Sequence, residues 1–92
     1  MKLDKQGRIQ IPTELMVLSG LLGKRNLRIL LKDKETVILY DEKDFPNEEY
    51  HGTITIDSKN RFTFKKPFRA YIHHLNYVFS VKGNRLILKW FD

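Results

Sequence analysis

The sequence predicts a mainly β fold with short helices, built from two copies of one small unit that share a core. Two observations predict it. The first is a repeat: Leu3-Asp4-Lys5-Gln6-Gly7-Arg8-Ile9-Gln10-Ile11 returns as Ile56-Asp57-Ser58-Lys59-Asn60-Arg61-Phe62-Thr63-Phe64. Each copy reads apolar, Asp, two polar residues, a turn residue, Arg, apolar, polar, apolar. Self-similarity of this kind marks a duplicated structural unit. The second is that each copy leads into a short helical stretch and then two apolar, β-branched runs around a turn. The chain has 92 residues, so each half is too small to bury a core of its own. One domain over 1–92 is therefore expected, with a first unit over 1–40, a connector over 41–52 and a second unit over 53–92.

Within the repeat, Gly7 and Asn60 fill the same slot, and Gly and Asn are the residues that best tolerate positive φ. A tight turn between two short strands needs such a residue. The period of two puts Ile9 with Ile11, and Phe62 with Phe64, on one strand face. The Asp before each turn is placed to pair with the Arg after it. A purely structural turn would use the same residues.

In the first unit Pro12 suits the first helical position, with Glu14 in the first turn and Gly20 as the stop. Leu15, Leu18 and Met16 are expected on the core side, followed by Leu21 and Leu22 as a buried loop. Leu27 to Leu31 and Thr36 to Tyr40 read as a hairpin with its turn in Lys32-Asp33-Lys34-Glu35. The stretch from Asp41 to Gly52 is acidic and contains Pro46, which reads as a solvated linker. In the second unit Thr53 to Ile56 and Phe62 to Phe64 read as strands, and Pro67 to Leu75 as a short helix stopped by Asn76. Tyr77 to Val81 and Arg85 to Trp90 form a hairpin around Gly83-Asn84, a strong two-residue turn signal. Val78-Phe79 match Ile29-Leu30 in character, and Leu86 to Leu88 match Val37 to Leu39. On that matching the first half is about four residues longer around Gly20 to Asn26, a difference loops tolerate.

Composition narrows the function. There are 17 Lys and Arg against 11 Asp and Glu, a net charge of +6, which favours an anionic partner such as nucleic acid. Residues 1–46 carry +2 and residues 47–92 carry +4. Lys59, Arg61, Lys65, Lys66 and Arg69 fall within eleven residues, where phosphate contacts and a base-reading arginine could sit together. With no cysteine there is no disulfide and no thiolate metal site. No apolar run reaches the length of a membrane span, and Met1-Lys2-Leu3-Asp4 does not open a signal peptide, so a cytoplasmic protein is expected. His73 and His74 are neighbours on a helix and diverge, and His51 is in the linker, so no metal is expected. Ser19, Ser58 and Ser80 lie in no nucleophile motif, and Gly20 to Lys24 lacks phosphate-loop spacing. No enzyme class, cofactor or small-molecule substrate is indicated. Phe68, Tyr71, Trp90 and Phe91 read as core or interface, and exposure of Trp90-Phe91 would point to oligomerisation.

The order strand, Asp-x-x-x-Arg turn, strand, helix, hairpin, given twice, resembles the AbrB/MazE/MraZ superfamily of swapped-hairpin DNA-binding proteins. Leu3 to Leu15 is especially similar to the opening of that family, with Gly7, Ile11-Pro12 and Leu15 in register. The tandem arrangement looks like MraZ-type chains. In the second copy Lys65 stands for Pro12 and Asn60 for Gly7. The resemblance implies two β-α-β units interleaved into one small swapped-hairpin barrel, with paired turns presenting arginines to double-stranded DNA. Carried onto this chain, Arg8 and Arg61 are the motif arginines, with Lys5, Lys59, Lys65, Lys66 and Arg69 as accompanying contacts. Where family members place basic residues early in the helix, the first copy has Met16 and Val17, while the second has Arg69 and Ala70. A DNA-binding transcriptional regulator, with homo-oligomerisation possible, is the expectation. The alternative is a protein-interaction module, antitoxin-like or an oligomeric scaffold, that keeps the fold without DNA binding.

Overall fold

The computed structural model describes residues 8–64 and 76–91. The chain runs β1 (Arg8–Gln10), α1 (Thr13–Leu18), β2 (Asn26–Asp33), β3 (Thr36–Tyr40), β4 (Gly52–Thr55), β5 (Arg61–Thr63), β6 (Asn76–Lys82) and β7 (Arg85–Phe91). The expected helix over Pro67 to Leu75 lies outside the described residues. The fold is mainly β, in two antiparallel sheets: a two-stranded ribbon β1-β5 and a five-stranded sheet ordered β4-β2-β3-β7-β6. Among the described residues the strands do not close into a barrel. The five-stranded sheet has two ends, β4 and β6, and the ribbon lies against its face.

Each hairpin follows from its sequence. Gly83 takes φ +60° at the first of two turn positions, where a type II′ turn needs positive φ. The β2-β3 turn narrows to Lys34-Glu35, with the Asp33 carboxylate accepting from the Glu35 amide at 2.8 Å and a bulge between Leu31 and Asp33. In α1, Pro12 is the N-cap rather than the first helical residue; its carbonyl accepts from the Leu15 and Met16 amides. The helix ends in a Schellman closure: Gly20 takes φ +72°, Gly20 N–H donates to Val17 O, and Leu21 N–H donates to Met16 O. That closure buries Met16 and Leu21 together and leaves Leu18, about 200° round the helix from Met16, exposed. Leu22, expected to be buried, is also exposed.

Burial corrects the internal alignment. Leu27, Ile29 and Leu31 turn inward in β2, and Tyr77, Phe79 and Val81 do so in β6. Val78 points outward and is half exposed, so it is Phe79, not Val78, that matches Ile29. With two apolar residues side by side in each strand, character alone cannot fix a period-two register. On the corrected alignment, three of the four extra residues of the first half fall before β2 and one is the bulge in its hairpin.

The two halves are joined strand to strand. Ile9 pairs with Phe62 at the centre of the ribbon, and Ile38 with Ile87 at the centre of β3-β7. Ribbon and sheet pack through one apolar cluster that includes Ile9, Phe62, Phe64, Leu39, Leu88 and Trp90. Phe64 and Tyr77 both contact the Trp90 ring, at centroid distances of 5.8 and 5.2 Å. Trp90 is thus core, and only its neighbour Phe91 is exposed.

The connector is more than a solvated linker. Tyr40 points away from the main core yet is fully buried, because residues 41–51 fold back over it. Its hydroxyl donates to the Glu49 carbonyl at 2.7 Å, with the Glu48 carbonyl 3.3 Å away, and Phe45 meets its ring edge-on. Burial pushes the Tyr40 phenol above its ordinary pKa. Flanking Tyr40 in the sheet are Arg28 and Arg85. Arg28 pairs with Glu42 at 3.1 Å and stacks on Tyr50; Arg85 pairs with Glu48 at 3.1 Å and stacks on Phe45. Most of the connector's acidic side chains still face solvent. His51 extends the sheet, its Nδ1 accepting from the Leu31 amide at 2.9 Å.

Candidate nucleic-acid interface

The site begins with the turn from β4 to β5. Asp57 N–H donates to Arg61 O, and Asn60 N–H donates to Asp57 O. Ser58, Lys59 and Asn60 form a three-residue loop, and Asn60 takes φ +59°, as the αL position of such a loop requires. The Asp57 carboxylate accepts from the Lys59 amide at 2.8 Å, the Arg61 amide at 2.9 Å and the Arg61 Nε at 2.9 Å. The Arg61 amide, first of all, then the Lys59 amide and the Arg61 guanidinium hold the Asp57 carboxyl below its ordinary pKa, against a smaller opposing effect of burial. The expected Asp-Arg brace is present in this copy. Asp4 and Gly7 of the other copy lie outside the described residues.

The ribbon brings the two copies together. Arg8 lies opposite Thr63 and Gln10 opposite Arg61, on the face turned away from the buried Ile9-Phe62 pair. Arg8 and Arg61, separated by more than half the chain in sequence, thus stand diagonally on one solvent-facing surface. Both line an open groove of about 380 Å³ together with Thr55, Asp57 and Thr63. The Arg61 side chain is about one-third exposed, and the Nε contact engages one of its five donors. Asn60 Nδ2 donates to Thr13 Oγ1 at 3.3 Å, tying the second turn to the first helix.

Of the residues singled out by sequence, Arg8, Arg61 and Lys59 fall on or beside this surface. Lys5, Lys65, Lys66 and Arg69 lie outside the described residues. Sequence reasoning passed over Lys24 and Arg25. The Arg25 carbonyl accepts the Ile56 amide at 2.7 Å, which places this pair beside the Asp57 turn. Only the long-range pairing of β2 with β4 could have revealed them. Lys24 pairs with Asp41 at 3.0 Å, and that hydrogen bond and charge raise the Lys24 pKa. Burial works against the Asp41 carboxylate, but Lys24 and the Lys43 amide outweigh it and hold its pKa below the ordinary value.

Among the described residues no group of three or more His, Asp or Glu is placed to hold a metal, and no helix is long and apolar enough to cross a membrane. Comparison with protein-family models, curated proteins and solved structures finds no match.

Proposed function

We propose that this protein binds double-stranded DNA through the β1-β5 ribbon, as a transcriptional regulator of the AbrB/MraZ type. One observation carries the reading: the arginines of the two repeat copies meet on one exposed face of a two-stranded antiparallel ribbon. The major groove admits such a ribbon, and an arginine fork matches the two acceptors of guanine. Asp57 holds the Arg61 guanidinium at Nε and leaves its terminal nitrogens to engage, which lowers the entropy lost on contact. The interleaved, swapped-hairpin arrangement belongs to the same proposal. The cross-pairing of β1 with β5 and β3 with β7, each uniting matching strands of the two halves, supports it. The test is titration of a duplex library against salt. Log K falling linearly with log salt, by about 0.9 per phosphate contacted, is the expected result. Affinity that ignores salt would contradict it.

A protein-interaction module is the second reading. Val17, Leu18 and Leu22 are 57%, 69% and 51% exposed around the end of α1, an apolar surface of the kind that partners cover.

A further inference from the structure

We propose that the loop between α1 and β2 is a phosphate-contacting arm, with Arg25 its lead residue and Lys24 its support. This rests on the DNA reading above. The loop borders the recognition turn directly: a groove of about 280 Å³ has Lys24 and Arg25 on one wall and Asp57, Ser58 and Asn60 on the other. That groove shares Asp57 with the one holding Arg8 and Arg61. Basic residues therefore flank one turn: Arg8 and Arg61 on its ribbon side, Lys59 in its loop, and Lys24 and Arg25 on the side of the arm. Beyond Lys24 this basic set ends, because Asp41, Glu42 and Asp44 come next in the connector.

Three features suit the arm to a phosphodiester backbone rather than to a base. Its position is fixed, by the Ile56-Arg25 hydrogen bond on one side and the Lys24-Asp41 pair on the other. Arg25 is exposed, and no carboxylate among the described residues pairs with it. It also stands beside the ribbon instead of on it, where a strand flanking the occupied groove would pass.

The test is Arg25→Ala in the full chain, titrated over a range of salt against a preferred duplex and a scrambled one, beside Arg61→Ala. Loss of one phosphate contact should flatten the slope of log K against log salt by about 0.9. Carried from a 1 M reference, that slope means about a fivefold weaker complex at 0.15 M. The loss should be equal on both duplexes, and Arg25→Lys should restore it. Arg61→Ala should instead reduce the preference between duplexes. Unchanged slope and affinity in Arg25→Ala, with DNA bound by the parent protein, would overturn the arm and leave the ribbon reading standing. A parent protein that binds neither duplex would remove the ribbon reading, and the arm with it.

Discussion

Two pairs of arginines occupy opposite layers of this molecule, and the same residue type serves different ends in each. Arg28 and Arg85 flank Tyr40 on the outer face of the five-stranded sheet, each held by a connector carboxylate at 3.1 Å and stacked at 4.0 Å on a connector aromatic ring. Arg8 and Arg61 stand on the ribbon, across the core, where Asp57 engages Arg61 through Nε. The outer pair clamps the connector that joins the halves. The ribbon pair stands on the face turned away from the core, with Arg61 set directly after a turn built around left-handed Asn60. Net charge says nothing about this division: Arg28 and Arg85 each meet a connector carboxylate and a connector ring, while Arg61 meets the carboxylate of its own turn.

The largest effect should come from beneath the ribbon. Phe62 is buried and pairs with Ile9, so it fixes the ribbon to the core. Phe62→Ala should cost about 3–5 kcal/mol in urea unfolding and abolish DNA binding with it, because both arginines lose their platform. A loss under about 1 kcal/mol would mean that the ribbon is held by something else.

The two ribbon arginines should also differ from each other. Arg61 follows the turn that carries Lys59 and whose other side borders the Lys24-Arg25 arm. Arg61→Ala should weaken duplex binding by about 1–3 kcal/mol, and by more than Arg8→Ala does. Parallel titrations that rank them the other way would keep DNA binding and reverse the asymmetry.

On the outer face the effects should fall on stability alone. Tyr40→Phe removes the hydroxyl that donates to the Glu49 carbonyl and should cost about 1 kcal/mol, read by chemical denaturation, without changing DNA affinity. A neutral result would show that the connector is not held by that bond.

The smallest effect is acid-dependent. The folded pKa of Asp57 lies below its ordinary value of 3.8, so its support for the turn is complete above that value and is lost as pH falls through the folded pKa. NMR titration of the Lys59 and Arg61 amides should report a midpoint below 3.8. A midpoint at or above it would mean that the carboxylate does not cap the turn.

Much of this was legible in the sequence because it is local. The Asp-x-x-x-Arg turn, the positive φ of Asn60 and the Gly83-Asn84 hairpin each depend on residues within five positions of one another. The connector was not legible. Its acidic, Pro-containing composition is that of any solvated loop, and the Tyr40, Arg28 and Arg85 side chains that hold it come together only through the pairing of β2, β3 and β7. The register of β6 was ambiguous for a different reason: Val78 and Phe79 are both apolar, and only burial tells which one faces the core.

The central claim is that the two arginine pairs are separable, and it is tested most directly by measuring Arg61→Ala and Arg85→Ala side by side, each by duplex titration and by chemical denaturation. Arg85→Ala should lose about 1 kcal/mol of stability, from one ion pair and one ring contact, and keep its DNA affinity. Arg61→Ala should lose DNA affinity and no more than a few tenths of a kcal/mol of stability, roughly the worth of its partly exposed pair with Asp57. Equal loss of binding in both, or loss in Arg85→Ala alone, would contradict the assignment of DNA contact to the ribbon.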